Sequence, residues 1–237
     1  RRQILERSGI DHLIIHPFTH QFSRLTALEF VRDILVNRLN AKKVIIGYDH
    51  RFGRNRTADI NDLRVFGETY GFEVEEISQQ EIEAVTVSST KIRNALMQGR
   101  VEKANRFLSY PFALKGMIVK GRGLGKTFDF PTANLEVKET YKLIPRNGVY
   151  VVRSDIEGKN YFGMMSIGTN PTVGGTEKTI ETFFFDFDGD LYDQVLKIEL
   201  LTRIRDEKKF ESVEGLKIAL KQDRAFSMQY IKDNYAE

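Results

Sequence analysis

Near Tyr110-Pro111 the pattern of the sequence changes, and no single sheet type accommodates both sides of the change. Upstream, apolar strand-like runs alternate with helical ones, the order that builds a parallel sheet in an α/β domain. Downstream, to about residue 204, the chain reads as strands and turns, followed by helices. That half is expected to form a small antiparallel sheet or barrel with helices at its end. The sequence is therefore expected to fold as two domains, residues 1–109 and 110–237.

Within the first half, residues 11–15 read as a short apolar strand. Thr26-Ala27-Leu28-Glu29 has the spacing of a capping box, and the helix it opens carries Leu28, Val31, Leu35 and Leu39 on one face. Val44-Ile45-Ile46 is the continuous apolar run of a strand buried on both sides. A helix over residues 62–70 ends at Gly71, a strand follows over 72–77, and a further helix over 90–97 stops at Gly99. In the second half, segments 148–156 and 161–167 flank Glu157-Gly158, while 179–187 and 191–201 flank Asp188-Gly189. Asp-Gly is a strong hairpin signal because both residues tolerate positive φ. Two closing helices are expected, one from near Ser212 and one over 224–234.

Composition narrows the function classes. With 41% apolar and 29% charged residues the chain reads as a soluble globular protein. No apolar stretch approaches the roughly 18 residues of a membrane span. A net charge of +3 is too even to argue for nucleic acid, and neither a nucleic-acid nor a membrane partner is expected. Absence of cysteine excludes disulfides and thiolate chemistry and fits a reducing cytoplasm. His12, His16 and His20 are spaced by four, but Pro17 and Leu13-Ile14-Ile15 argue for strand and loop rather than a helical metal site; His50 stands apart. The sequence opens at Arg1 in what reads as the end of a helix, so an upstream segment is expected.

Two features carry chemistry. In Gly121-Arg122-Gly123-Leu124-Gly125-Lys126-Thr127-Phe128-Asp129-Phe130-Pro131-Thr132-Ala133-Asn134, three alternating glycines allow close backbone approach to an anion, beside two cations. The run lacks the glycine spacing and following helix of a Walker loop. Thr132 and Asn134 offer hard oxygen donors of the kind magnesium takes. On composition alone the run is equally a flexible hairpin and an ordinary turn. Further on, Thr179, Glu181, Phe183 and Phe185 share one strand face, which sets a carboxylate beside two rings. That setting favours a general base, although an edge glutamate in solvent has the same pattern.

The glycine run with Pro131-Thr132-Ala133-Asn134 closely resembles the nucleotide and magnesium loop of the riboflavin kinase family. The pattern continues through Asn147-Gly148-Val149-Tyr150, Ser166-Ile167-Gly168-Thr169-Asn170-Pro171-Thr172, Ile180-Glu181-Thr182, Asp190-Leu191-Tyr192 and Arg205-Asp206-Glu207-Lys208-Lys209-Phe210. The resemblance implies ATP- and Mg2+-dependent conversion of riboflavin to FMN. Glu181 would take the proton of the ribityl 5′-hydroxyl, Thr132 and Asn134 would hold magnesium, and Gly121, Gly123, Gly125 and Lys126 would cradle the phosphates. Arg205 would lie on the flavin side, with an ion pair to Asp206 or Glu207 as the alternative.

The first half resembles the FMN adenylyltransferase domain that bacterial riboflavin kinases carry in the same chain. Gly47-Tyr48-Asp49-His50-Arg51-Phe52-Gly53 follows a buried strand, and Ser88-Ser89-Thr90-Lys91-Ile92-Arg93 opens a helix. The resemblance implies nucleotide-binding roles for Gly47, Asp49, Phe52, Gly53, Ser88, Ser89, Thr90, Lys91 and Arg93. It implies a Rossmann-like nucleotidyltransferase domain, incomplete here, followed by a riboflavin kinase β-barrel with C-terminal helices. The His-x-Gly-His motif of that family is absent, so the parent protein is expected to be bifunctional and this chain is not. Asp129 and Asp193 stand where the kinase family usually has glycine. Two other readings are a flavin-binding regulatory module and a nucleic-acid-binding barrel. Retention of Glu181 with Thr132 and Asn134 opposes the first, and the consecutive Phe183, Phe184 and Phe185, which read as core, oppose the second.

Overall fold

The computed structural model describes residues 5–6, 8–77, 81–82, 85–121, 132–172 and 175–235. The chain divides into two compact units, Arg1–Glu81 and Ile82–Glu237.

In the first unit a short helix α1 (His20–Ser23) precedes α2 (Ala27–Glu29), whose Thr26 hydroxyl and Glu29 carboxylate form the expected capping box. The helix then widens into a π-helical segment over Phe30–Val36. A π-helix advances each side chain by a smaller angle than an α-helix, so the expected apolar face does not persist. Val31 is fully buried, with Ala27 and Leu35 packed in the same cluster, while Leu28 and Leu39 remain exposed. Strand β1 (Lys43–Gly47) pairs in parallel with β2 (Glu73–Ile77), joined through α3 (Ile60–Tyr70), which Gly71 ends in the left-handed conformation. Ile46 is buried but Ile45 is exposed, so β1 is covered on one face rather than the expected two. Residues 11–15 form no strand. A strand needs a hydrogen-bonding neighbour, and Ile14 and Ile15 are instead exposed coil.

Two short strands, β3 (Glu81–Ile82) and β4 (Val85–Thr86), lead to α4 (Ser89–Met97) and α5 (Val101–Leu108), the latter unanticipated from the sequence. Six strands then close a barrel: β5 (Ala113–Val119), β6 (Ala133–Glu136), β7 (Gly148–Ile156), β8 (Lys159–Thr172), β9 (Gly175–Phe184) and β10 (Val195–Arg205). Their order around the barrel is β10-β5-β6-β9-β8-β7, with β7 closing onto β10. All described pairings in it are antiparallel.

The β7–β8 hairpin forms as the sequence suggests, with both Glu157 and Gly158 at positive φ. The hairpin expected at Asp188-Gly189 does not. β6 and β8 flank β9, while β5 and β7 flank β10, so the segment after Phe184 crosses to a different part of the barrel. Positive φ falls instead at Asp186 and Asp193. Asp193, at a position where the resembling family usually has glycine, thus occupies the left-handed region that glycine enters freely and aspartate tolerates. The two expected closing helices are one, α6 (Val213–Tyr235). No proline or glycine interrupts it after Gly215, so nothing breaks the ladder of backbone hydrogen bonds.

The barrel interior is filled by Leu114, Ile118, Tyr150, Met165, Ile167 and Ile198, each at most 1% exposed. Ala95, Leu96, Val101 and Ala104 of α4 and α5 belong to this same cluster. The compact division therefore comes ahead of the change in sequence pattern at Tyr110, and this helix pair packs with the barrel. A separate cluster on β7, β8 and the end of β9 includes Leu220 and Ile231 of α6.

Candidate active site

The short strand β6 brings together residues that lie far apart in sequence. It pairs with β9 so that Asn134 stands opposite Glu181 and Ala133 opposite Thr182. One step before the strand, the Thr132 hydroxyl donates to Glu181 Oε2 at 3.1 Å. Glu181 is half-buried on the face it shares with Thr179 and Phe183, and the Phe183 and Phe185 rings meet edge to face at 5.7 Å. Asn134 also has Val119 of β5 as a register partner. Past the end of β5, Gly121 lies so close to Asn134 that an added Cβ would collide with the side-chain amide. A larger residue here would displace the Asn134 side chain, and no unusual φ is involved.

Thr132, Asn134 and Glu181, three of the residues singled out in the sequence, are thus gathered at one point by two strand pairings. Gly123, Gly125 and Lys126 of the phosphate loop, with Arg122 and Asp129, lie outside the described residues. The donor set fits magnesium by its chemistry. A Thr132 hydroxyl whose proton is engaged by a carboxylate keeps its oxygen lone pairs free, and the Asn134 carbonyl is a second hard oxygen. Among the described residues no group of three His, Cys, Asp or Glu could hold a metal ion.

Beside this point the barrel opens into a pocket of about 350 Å³. Thr132, Ala133 and Thr182 line one part, and Ile118, Phe184, Phe187, Leu191 and Tyr192 supply apolar and aromatic walls. Three of the sequence motifs therefore meet in one cavity. Tyr192 is held by a turn in which its N–H donates to Asp190 Oδ1 at 2.9 Å.

A second convergence centres on Glu207, considered from the sequence only as an ion-pair partner of Arg205. One carboxylate oxygen accepts from Asn147 Nδ2 at 2.9 Å and the other from the Thr169 N–H at 3.1 Å. The carboxylate clamps three motif segments together. Next to it, Arg203 donates to the Asn147 carbonyl and pairs with Asp206, each at 2.7 Å. That hydrogen bond and the guanidinium charge hold the Asp206 carboxyl below its ordinary value, with Arg146 adding to the effect.

Arg205 takes neither of the ion-pair partners considered from sequence. Its Nε donates to Asp223 Oδ1 at 2.9 Å and a terminal nitrogen to Oδ2 at 2.7 Å, the fork geometry of a bidentate pair. Its guanidinium also lies 5.6 Å from the Phe210 ring centroid. Asp223 sits inside α6, where no local pattern marks it as a partner.

In the first unit, Gly47 ends β1 and the loop after it follows the strand's carboxyl end, as expected. Asp49 is exposed, whereas Phe52 is 8% exposed and packs in the unit's core. Gly53 has φ +74°, and a side chain there would come within 2.7 Å of the Ala27 amide nitrogen. In the second unit, Ser88 caps α4 by accepting from the Lys91 N–H at 3.2 Å. Ser89, Thr90, Lys91 and Arg93 are exposed on the first turns of that helix.

Comparison with known proteins also matches the chain in two parts. A riboflavin kinase family model matches residues 108–231, and an FAD synthetase model matches residues 1–91. A bifunctional riboflavin kinase/FMN adenylyltransferase from Pseudomonas fluorescens is 37% identical over 92% of this chain and 70% of its own length. The protein of that description from Escherichia coli K12 is 34% identical over 95% of this chain and 72% of its own. A crystal structure described as a macrolide-efflux protein from Streptococcus pneumoniae superposes with a TM-score of 0.87 at 35% identity, over 99% of this chain and 74% of that one. Among the described residues no helix is long and apolar enough to cross a membrane.

Proposed function

Because this chain belongs to the bifunctional riboflavin kinase/FMN adenylyltransferase family, we propose that its barrel phosphorylates riboflavin to FMN with ATP at the Thr132, Asn134 and Glu181 cluster. The single observation that carries this reading is the 3.1 Å contact between the Thr132 hydroxyl and Glu181, which sets a base beside hard oxygen donors. The ribityl 5′-hydroxyl oxygen attacks the γ-phosphorus of ATP, the bond from that phosphorus to the β,γ-bridging oxygen breaks, and ADP leaves. Glu181 accepts the hydroxyl proton as the new P–O bond forms. Thr132 and Asn134 would hold Mg2+, which when bound neutralises charge on the phosphates. The segment beginning at Gly121, with Gly123, Gly125 and Lys126, is the proposed phosphate cradle, and Arg205 is assigned to the flavin side.

Adenylylation of FMN to FAD is the proposed activity associated with the family's other half. Residues 47–53 are its proposed nucleotide loop and residues 88–93 a phosphate-binding helix start. The cysteine-free composition supports a reducing, cytoplasmic setting for both steps.

Incubation of the chain with riboflavin, ATP and magnesium, with the flavins separated by chromatography, tests the proposal. FMN is the expected product. Its absence at every magnesium concentration overturns the kinase reading, and FAD alongside FMN reports on adenylylation.

A further inference from the structure

The hydroxyl of Thr182 is buried, 1% of the residue being exposed, and among the described residues it has no hydrogen-bond partner. Such a group is costly in a folded protein, because it loses its bonds to water and gains none in return. Valine has almost the same shape and would fill the position without that cost. Among the described residues one further buried side-chain atom lacks a partner, Arg203 Nε, and Arg203 does not line the pocket. Thr182 does line it.

Its place within the pocket indicates what supplies the missing bond. Thr182 follows Glu181 directly and stands across from Ala133, so it lies one residue from the proposed transfer point on each strand. Strand alternation turns it to the opposite face from Glu181, toward the interior with Ile180 and Phe184. Beyond it the pocket is lined by Phe184, Phe187, Leu191 and Tyr192 together with the Asp190 carboxylate, rings that suit a flat group and an anion that disfavours a polyphosphate. The phosphates belong at the Thr132 end, and the remainder of the nucleotide then extends past Thr182.

We propose that the Thr182 hydroxyl hydrogen-bonds the nucleoside portion of the ATP, making it a binding and selectivity residue for the phosphate donor. This inference rests on the kinase reading above and adds a contact to it. Thr182 takes no part in the proton or phosphoryl transfer.

The test compares Thr182→Val and Thr182→Ser with the unaltered chain. Each is assayed for KM toward ATP and riboflavin, for inhibition by adenosine and by inorganic tripolyphosphate, and for melting temperature without ligand. In Thr182→Val the KM for ATP and the inhibition constant of adenosine rise about tenfold, the order expected for loss of one hydrogen bond to a ligand. Tripolyphosphate inhibition and the KM for riboflavin stay unchanged, the ligand-free melting temperature holds or rises, and Thr182→Ser restores ATP binding. An unchanged KM for ATP overturns the proposal, as does a shift confined to tripolyphosphate or riboflavin. A lowered melting temperature with unchanged adenosine affinity assigns the hydroxyl a structural role instead, with the same consequence. Should Thr182→Val not fold, Thr182→Ala against Thr182→Ser carries the comparison, with adenosine binding weaker in the alanine variant. Failure of the unaltered chain to make FMN counts against the kinase reading, whereas adenosine binding measured by calorimetry continues to test Thr182 by itself.

Discussion

Glu181 and Thr182 are adjacent on one strand and face opposite sides of it, so the proposed base and the proposed nucleoside contact fall on neighbouring residues. Glu181→Gln keeps the shape and the contact to Thr132 but removes the base. Turnover is expected to fall about 10²–10⁴-fold with riboflavin affinity retained, as general-base assistance implies. Steady-state kinetics beside fluorescence titration of riboflavin would check this, and near-normal turnover would reject the assignment. At this scale the sequence singled out Thr132, Asn134 and Glu181 because each residue type matched a chemical need, and the fold brings the three side by side. Thr182 and Asp223 were not singled out. An unpaired hydroxyl and a salt-bridge partner within a helix are defined by what surrounds them in space, and no spacing along the chain records that.

The Arg205–Asp223 pair joins the last residue of β10 to α6 and so acts between elements. Asp223 has 3% of its side chain exposed and Arg205 has 27%. Asp223→Ala leaves the guanidinium without its fork partner and is expected to destabilise the second unit by about 2 kcal/mol, below the ~3–5 kcal/mol of a fully buried pair because Arg205 keeps access to water. The urea midpoint should fall with little change in slope. Replacing both residues, Arg205→Met with Asp223→Leu, should recover most of the loss, since no uncompensated charge remains. The flavin role proposed for Arg205 adds a separate expectation: the double variant regains stability yet binds riboflavin more weakly. Elements were legible where local chemistry decides them, as in the Thr26 capping box and the Glu157-Gly158 turn. Asp188-Gly189 was misread because Asp-Gly permits a tight hairpin without requiring one. Whether β9 meets β10 depends on which strands take its two edges, a non-local matter settled by β6 and β8.

For the whole molecule, the open matter is where the catalytic barrel begins. The change of sequence pattern places the start at residue 110, but Leu96 and Val101 are at most 2% exposed and share a core cluster with Leu114, Ile118 and Leu200. Asn105 strengthens the union, its amide donating to the Leu200 carbonyl at 2.9 Å and its carbonyl accepting from the Phe112 N–H at 2.7 Å. The sequence concealed this because a helix pair following strand-helix alternation reads as more of the same domain, and nothing in its periodicity says which core its apolar face joins. Removing the pair would expose the barrel side of that cluster. Burial of a leucine or valine is worth about 1.5–3 kcal/mol, so losing the helices costs several kcal/mol from a domain whose total is of order 5–15 kcal/mol. A polypeptide of residues 82–237 is therefore expected to fold and to make FMN, while one of residues 110–237 melts at least ~10 °C lower or does not fold cooperatively. Calorimetry and the flavin assay on the two polypeptides would decide between the boundaries. Equal melting temperatures and equal turnover would place the start of the barrel at 110 and leave α4 and α5 with the first domain.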